Sequence, residues 1–468
     1  MSNLNAVLGS FFHTPVYGGF ELLERALIEL DGRGFIERVT LPSDEGYDVR
    51  VIAAREAGAR EPGTFMELGS DECGLPGFVD LHVHAPQWPQ AGVALDEPLD
   101  VWLDQRTFPL EARFADPAFA HAVGLDLART LLSRGTTTCL YFGSAHLEGS
   151  FELARACTET GQRAVVGKVV MDDPGANHDF YRDASPASAL ADTEEFLGRV
   201  EHLDADCRRT VERFPGVFAA VTPRFIPSCT DEALAGLGQI VAAHDAYVQS
   251  HCNEGEWEHG VAVARYGKTD AEALADFGLL RPKAVMAHCT FMNESDTALF
   301  AQTGTTVAHC PISNAYFADS ACPVRRMHEA GVKIGLATDI SGGFSPSLYE
   351  NIRMAVMASR MLESGVDALV PCSSRGAGRP SRISVAEALY LATKGGAEAL
   401  ELPVGSFEVG RAFDVQILDT RHPYADLTGF GIFDAPADRL ARILYLATPD
   451  SIRKVFVQGR CVIDRNAL

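Results

Sequence analysis

Short runs of β-branched and small apolar residues alternate with longer amphipathic stretches through the middle of the chain, from Leu75 to about Thr393. Each run has the length of a buried strand, and the stretch after it carries Ala, Leu and Glu at helical spacing. There are eight such runs: GFVDLHVH, TTTCLYF, AVVGKVVM, FAAVTPRF, AYVQSHCN, AVMAHCT, TTVAHCP and VKIGLATD. Eight strands that alternate with helices over about 320 residues predict a (β/α)8 barrel of the TIM type. An open, doubly wound sheet is less favoured, because no G-x-G-x-x-G follows the first run.

The two ends of the chain show a different pattern. Before about residue 70, apolar patches such as ALIEL and YDVRVIAA are separated by Asp-Gly and Gly-rich breaks, which predicts short strands with turns. The same style returns after Glu401, in VGSFEVGRAFDVQILDT and KVFVQGRCVI. We therefore predict an α/β protein whose barrel spans residues 75–395. Residues 1–74 and 396–468 would together form one smaller composite β-sandwich domain, and residues 373–384 a surface loop before a last helix.

Composition narrows the class of partner. The chain has 40 Lys and Arg against 63 Asp and Glu, a formal net charge of −23, which argues against binding to nucleic acid or to an anionic membrane. No segment approaches the ~18 apolar residues of a membrane span, and the N-terminus lacks the basic start of a secretory leader. The 11 Cys include no C-x-x-C pair and indicate reduced thiols. These features predict a cytoplasmic location.

Ionisable residues collect at the C-terminal ends of the predicted strands. His82 and His84 end the first run, His251 the fifth, His288 the sixth and Asp339 the eighth. Because the strand ends of a closed parallel barrel surround one mouth, residues distant in sequence would meet there. His82 and His84 are two residues apart, so on a strand they point the same way. The pattern predicts a metal site at the mouth of the barrel.

The type of ligand limits the type of metal. Imidazoles with one carboxylate suit Zn or Fe(II), whereas Mg or Ca would prefer oxygen ligands throughout. The fourth run, VTPRF, supplies no Lys that could be modified into a bridging ligand, so we expect one divalent ion per chain. Such an ion activates a water molecule as a nucleophile near neutral pH.

Three residues around this ion are candidates for proton transfer. Asp339 could accept the proton of the water and orient it, and His288 could hydrogen-bond the attacking oxygen. Glu254 follows His251 closely in H-C-N-E and is our candidate for the proton shuttle. These roles predict hydrolytic chemistry.

Other residues at similar positions are given structural roles. His146 and His309 are expected to be hydrogen-bonded supporting or core histidines rather than metal ligands. Cys289 and Cys310 follow histidines without forming a C-x-x-C pair, and we interpret them as small buried hydrophobic residues.

At these residues the sequence resembles the amidohydrolase superfamily and, within it, the guanine deaminase family. The matching strings are GSFFHTP, PGFVDLHVHAPQWP, RTFPLEARF, RGTTTCLYF, GQRAVVGKVVMD, VTPRF, QSHCNE, VMAHC, VAHCPISN, KIGLATDISGG and FEVGRAFDVQILD. The resemblance implies one divalent ion per subunit, with Zn favoured over Fe, and a homodimer. It implies the metal ligands His82, His84, His251 and Asp339. It also implies Glu254 as the shuttle, and a purine held by Gln87, Arg224 and Phe225 beside His251 and His288.

The chemistry of a free purine base fits those side chains. Guanine presents hydrogen-bond acceptors at O6 and N7, and Arg224 is a donor-only fork that matches two adjacent acceptors. Gln87 can donate and accept on another edge, and Phe225 offers a ring for stacking. A site built on hydrogen bonds rejects an analogue of opposite polarity, such as adenine, by about 10⁴-fold. We expect hydrolysis of guanine to xanthine and ammonia.

Two alternatives to this function remain open from the sequence. The same barrel could deaminate another aminated ring, such as 8-oxoguanine, a pterin or a triazine, or it could be a non-catalytic scaffold. The zinc deaminases that edit nucleobases are excluded, because their H-x-E and P-C-x-x-C signature is absent. The stretch from Pro86 to Phe114, with Trp88, Trp102 and Phe108, is either a lid that excludes water or a packed loop.

Overall fold

The computed structural model describes residues 3–376, 378–421 and 427–465. Its strands are β1 (Ala6–His13), β2 (Glu21–Leu30), β3 (Ile36–Thr40), β4 (Phe65–Glu67), β5 (Glu72–Pro76), β6 (Phe78–His84), β7 (Thr136–Phe142), β8 (Arg163–Val170), β9 (Val217–Pro223), β10 (Tyr247–Cys252), β11 (Ala284–His288), β12 (Thr306–His309), β13 (Lys333–Leu336), β14 (Val415–Asp419), β15 (Ile452–Val457) and β16 (Arg460–Asp464).

Helices connect the strands throughout the described ranges. They are α1 (Tyr47–Arg60), α2 (Leu99–Trp102), α3 (Phe108–Glu111), α4 (Pro117–Leu132), α5 (Leu147–Thr160), α6 (Pro186–Thr210), α7 (Asp231–His244), α8 (Glu256–Tyr266), α9 (Asp270–Asp276), α10 (Glu294–Thr303), α11 (Pro311–Phe317), α12 (Val324–Glu329), α13 (Leu348–Ser364), α14 (Val385–Tyr390), α15 (Gly396–Ala399) and α16 (Pro436–Leu446). In the ranges that the structure covers, no helix is both long and apolar enough to cross a membrane.

The predicted (β/α)8 barrel is confirmed. Strands β6 to β13 pair in sequence order and in parallel, and they coincide with the eight apolar runs. The barrel closes just beyond β13, where the Asp339 amide donates to the His82 carbonyl at 2.9 Å and the His84 amide donates to the Ile340 carbonyl at 2.9 Å. The last strand segment is thereby fastened to the first at the mouth.

Local chemistry sets the ends of the outer helices. Helix α7 begins at Thr230, whose hydroxyl accepts the Ala233 amide, and α10 begins at Asn293, which forms a reciprocal capping box with Asp296. Helix α10 ends at Gly304, with φ of 71°, the left-handed conformation that glycine adopts without a steric penalty. These caps return the chain to the barrel at defined points.

The composite domain built from both termini is also confirmed. Its strands lie in one sheet, in the order β16-β15-β14-β5-β1-β2-β3, with β4 beside β1. Strand β14 pairs antiparallel with β5, so the C-terminal segment bonds directly to the N-terminal one. A buried ion pair between Arg163 of β8 and Asp414 joins this sheet to the barrel.

The sequence interpretation was wrong for one terminal segment. The run YDVRVIAA, predicted as a strand, lies in helix α1, and among the residues of that helix Val51 is buried. The run continues as REAGAR, and Ala, Glu and Arg have high helix propensity, which outweighs the short apolar pattern. Helix α16, an amphipathic stretch in the C-terminal tail, was not predicted.

The predicted surface loop of residues 373–384 contains no strand or α-helix among its described positions, and nearly all of these are at least partly exposed. Ala377 within it lies outside the described residues, as do the first two residues of the N-terminal unit and residues 422–426 and 466–468 of the C-terminal one. The boundaries proposed for the three units remain predictions.

The tight barrel interior predicts a large cost for one added methyl group. A Cβ at Gly167 of β8 would lie 1.8 Å from the Thr222 hydroxyl oxygen and 2.5 Å from Gln249 Nε2. We expect Gly167→Ala to lower the free energy of unfolding by about 1–3 kcal/mol or more, measured by urea titration. Gly198→Ala in α6, where a Cβ meets no atom within 4 Å, should instead raise it by about 0.5–1 kcal/mol. Equal effects of both changes would contradict this account of the interior.

Candidate active site

The strand-end residues predicted from the sequence meet at the mouth of the barrel. His82 and His84 lie on β6, with their ring centroids 4.6 Å apart. Asp339 Oδ1 lies 3.3 Å from His82 Nε2 and 3.4 Å from His84 Nε2. His84 Nε2 lies 3.1 Å from His251 Nε2 at the end of β10. The ring nitrogens and the carboxylate thus converge on one small volume.

The state of these imidazoles fits a metal ion. Burial lowers the pKa of His82, His84 and His251 well below the usual range, so the rings are neutral. His251 Nδ1–H donates to the Arg224 carbonyl at 2.5 Å, which leaves the lone pair on Nε2. His82 Nε2 is buried and makes no hydrogen bond within the described chain. Lone pairs that face each other, together with a carboxylate, are the donor set that a borderline divalent cation satisfies.

His288 lies in the same cluster, with Glu254 at its side. Asn314 Oδ1 accepts the His288 Nδ1–H at 2.9 Å, so Nε2 carries the lone pair. That nitrogen lies 3.6 Å from Glu254 Oε1 and 3.9 Å from Asp339 Oδ2. The supporting contact from Asn314 was not predicted from the sequence, although the residue belongs to the quoted string HCPISN.

The environment of Glu254 suits a proton carrier. Burial, reinforced by the nearby negative charge of Asp339, raises the pKa of Glu254 to about 8. Its backbone amide donates to Glu258 Oε2 at 2.8 Å, and its carbonyl accepts the Thr290 hydroxyl at 2.5 Å. A buried carboxyl that holds its proton near neutral pH can donate it to a bound molecule.

The backbone is strained at the points that carry these groups. Asn253, His288 and Asp339 have φ of 50°, 72° and 50°, in the left-handed region that non-glycine residues rarely adopt. All three follow or end barrel strands at the mouth. Such strain persists only where surrounding structure fixes it, and it concentrates at functional sites.

A second group of polar side chains lies beside the cluster. Arg224 Nη1 donates to Glu111 Oε2 at 2.6 Å and Nη2 to Glu111 Oε1 at 3.3 Å, while Gln87 Nε2 donates to Glu111 Oε1 at 3.0 Å. Burial opposes the charge on Arg224, but Glu111 outweighs it and keeps the pKa of the guanidinium above its usual value. Glu111 was not predicted as a site residue. The sequence could have indicated Glu111 through the string RTFPLEARF, which contains it and is one of the strings that carry the family resemblance.

Side chains of both groups line one cavity, in which the histidine–aspartate cluster and Glu254 lie beside Arg224 and Gln87. Phe225 lines it with its ring centroid 6.0 Å from that of His251. Trp102, from the segment 86–114, packs against Phe317 at 5.3 Å between centroids. The lining residues are His84, Gln87, Leu99, Trp102, Leu103, Arg224, Phe225, His251, Glu254, His288, Phe317, Asp339 and Gly342. Polar groups therefore occupy one part of the wall and apolar groups the rest.

Residues that the sequence placed outside the ligand set remain apart from it, with one partial exception. His309 is buried and His146 is half-buried, and neither belongs to a group of converging ligand atoms among the described residues. The Cys310 sulfur lies within 4.8 Å of ligand atoms of His288 and Asp339. Burial raises the pKa of the Cys310 thiol well above its usual range, which keeps it protonated and a poor ligand.

A (β/α)8 barrel with imidazoles, a carboxylate and a second, buried carboxyl group at its mouth indicates a hydrolase with a candidate metal centre. The sequence profile of the amidohydrolase family matches residues 74–462. The chain belongs to the amidohydrolase family.

Its relatives include guanine deaminases. The chain is 32% identical to the guanine deaminase of Dictyostelium discoideum, over 96% of each protein. It is 35% identical to that of Mus musculus, over 86% of each. Among solved structures, the guanine deaminase of C. acetobutylicum with guanine bound in its active site superimposes with a TM-score of 0.83 and 28% identity, covering 98% of this chain and 100% of the other.

The convergence of neutral imidazoles predicts metal binding that one substitution removes. We expect the purified protein to hold about one equivalent of a divalent transition metal, and His82→Ala to lose most of it, since one lost ligand leaves an incomplete coordination shell. Metal content after dialysis, measured by mass spectrometry, tests this. His146→Ala is the control and should keep its metal. Full metal content in His82→Ala would contradict the ligand assignment.

Proposed function

We propose that this protein is a guanine deaminase that hydrolyses free guanine to xanthine and ammonia. The observation that carries the proposal is the position of Arg224 and Gln87, which lie in the same cavity as the histidine–aspartate cluster and Glu254. Curated relatives of 32% and 35% identity carry the same activity in their names, which supports it.

In this proposal His82, His84, His251 and Asp339 hold one divalent ion. When bound, the ion supplies Lewis-acid activation of the attacking water. The protein orients the ligands through their second nitrogens and backbone, as in the bond from His251 Nδ1 to the Arg224 carbonyl. We propose Zn as this ion, with Fe(II) as the alternative, because imidazole and carboxylate ligands suit both.

Glu254 moves the protons. As water adds to C2 of guanine, Asp339 accepts the first proton of the water and Glu254 gives its own proton to N3. Glu254 then takes the second proton from the hydroxyl group now on C2 and delivers it to the exocyclic nitrogen, which leaves as ammonia rather than as an amide ion. Return of the first proton from Asp339 to Glu254 restores both carboxyl groups. His288 Nε2, 3.6 Å from Glu254 Oε1 and 3.9 Å from Asp339 Oδ2, would hydrogen-bond the attacking water between them.

The other end of the cavity holds the base. Arg224 supplies donors to the acceptors of guanine, and Phe225 offers its ring to the face of the purine. Leu103, Trp102 and Phe317 form an apolar wall that limits access of water. The segment 86–114 contributes two of these residues, so we interpret it as the cover of the site.

A second candidate is deamination of another aminated ring on the same metal chemistry, because the barrel alone does not specify the heterocycle. The names of the relatives favour guanine as the substrate over another ring. A non-catalytic scaffold is disfavoured by the intact cluster at the mouth. The homodimer and the cytoplasmic location remain predictions.

Substrate comparison tests the proposal directly. We expect kcat/KM for ammonia release by the metal-loaded protein to be at least about 10³-fold higher with guanine than with adenine or cytosine. A site built on hydrogen bonds discriminates against a base that presents an amino donor where guanine presents the O6 acceptor. Parallel assays with 8-oxoguanine, pterin and a triamino-triazine test the second candidate. Absence of ammonia from guanine, with turnover of one of these rings, would reject the proposal.

Removal of the shuttle proton should stop turnover without removing the metal. We expect Glu254→Gln to lower kcat by about 10²- to 10⁴-fold, the usual contribution of a general acid–base residue. Glu256→Gln makes the same exchange at an exposed position two residues away and should behave as wild type. Normal turnover by Glu254→Gln, with its metal bound, would assign the proton transfer to another group.

A further inference from the structure

Glu111 is a buried carboxylate that contacts neither the metal cluster nor, in the proposed function, the reacting atoms. It lies at the end of α3 and is 1% exposed. It binds Arg224 and Gln87 at once, although these residues come from different parts of the barrel. A buried carboxylate that joins the two base-binding side chains can control what they present to the base.

The contact with Glu111 fixes the orientation of the Gln87 amide. The atom of Gln87 that lies 3.0 Å from Glu111 Oε1 must be the NH₂ group, because an amide oxygen there would face a carboxylate oxygen without a proton between them. Gln87 Oε1 is then an acceptor, and it is buried without a hydrogen bond among the described residues. Gln87, which lines the cavity, therefore has an unpaired acceptor at Oε1, while Glu111 holds its NH₂ group.

The same carboxylate fixes Arg224. Glu111 takes one N–H from each terminal nitrogen of the guanidinium, so three of its five donors remain. Phe108 lies against the guanidinium, with Cζ 5.0 Å from the ring centroid, and limits its rotation. Arg224 thus presents donors beside the acceptor of Gln87.

We propose that Glu111 is a specificity-determining residue, which holds Arg224 as a hydrogen-bond donor and Gln87 Oε1 as an acceptor. This pair binds a ring edge that has C=O next to N–H. It rejects a ring edge that has C–NH₂ next to an unprotonated ring nitrogen. The inference rests on the proposed function and deepens it. Guanine carries the first edge at C6 and N1. Its analogue 2,6-diaminopurine carries the second edge and keeps the same 2-amino leaving group.

Without the carboxylate, the polarity of the pair is no longer fixed. In Glu111→Gln the new amide can face Gln87 with either its oxygen or its NH₂ group, so the Gln87 amide can rotate and present a donor. Arg224 also loses its charged partner and can move. Selectivity between the two purines should fall, whereas the metal cluster and Glu254 are untouched.

The test compares kcat/KM for guanine and for 2,6-diaminopurine, by ammonia release, in metal-loaded wild type, Glu111→Gln, Glu111→Asp and Glu97→Gln. If a purine is not turned over, its inhibition constant against guanine replaces kcat/KM. Glu97 is exposed, also belongs to the segment 86–114 and is not among the residues that line the cavity. Glu97→Gln therefore controls for the effect of replacing a Glu by a Gln in this segment. Glu111→Asp keeps the buried charge next to Arg224 but is one methylene too short to bind both partners well, and it decides the case if Glu111→Gln does not fold.

We expect wild type and Glu97→Gln to share a strong preference for guanine, Glu111→Gln to lose about 10- to 100-fold of that preference, and Glu111→Asp to fall between them. A structural defect alone would lower the rates for both purines equally and leave their ratio unchanged. An unchanged ratio in both Glu111 variants therefore overturns the inference while the proposed function stands. A wild type that releases no ammonia from guanine overturns both.

Discussion

The site depends on the hydrogen bonds that close the barrel. The Asp339 amide bonds to the His82 carbonyl, and the His84 amide bonds to the Ile340 carbonyl. These two contacts fix the last strand-end carboxylate against the first two histidines, which lie more than 250 residues earlier in the chain. Because backbone hydrogen bonds set the separation, the side chains need little freedom of their own to converge.

Burial then decides the chemical state of each group. Neutral imidazoles keep their lone pairs because desolvation disfavours their charged form, and Glu254 holds its proton for the same reason. Arg224 remains charged in an equally buried position because Glu111 lies within hydrogen-bonding distance. One low-dielectric cavity is therefore lined at one end by neutral histidines and at the other by a cation, Arg224, that is paired with Glu111.

Much of the fold and site follows from patterns that are local in the chain. A strand that is buried on both faces must be apolar, so eight buried strands leave eight apolar runs. The run YDVRVIAA misled because its short apolar pattern fits both a strand and part of a helix, and the helix propensity of the residues that follow it was not weighed. Asn314 and Glu111 were missed because their role depends on partners distant in sequence, such as Arg224, which lies 113 residues from Glu111.

The sequence by itself determined the architecture and the inventory of reactive groups, since hydrophobic period and residue type are properties of a continuous segment. It also placed those groups at strand ends, and so at one mouth. The tertiary structure alone decided which nitrogen of His251 and of His288 is free, which way the Gln87 amide faces, and that Glu111 joins Gln87 to Arg224. These are matters of hydrogen-bond distance and direction within about 3 Å, which no linear spacing specifies.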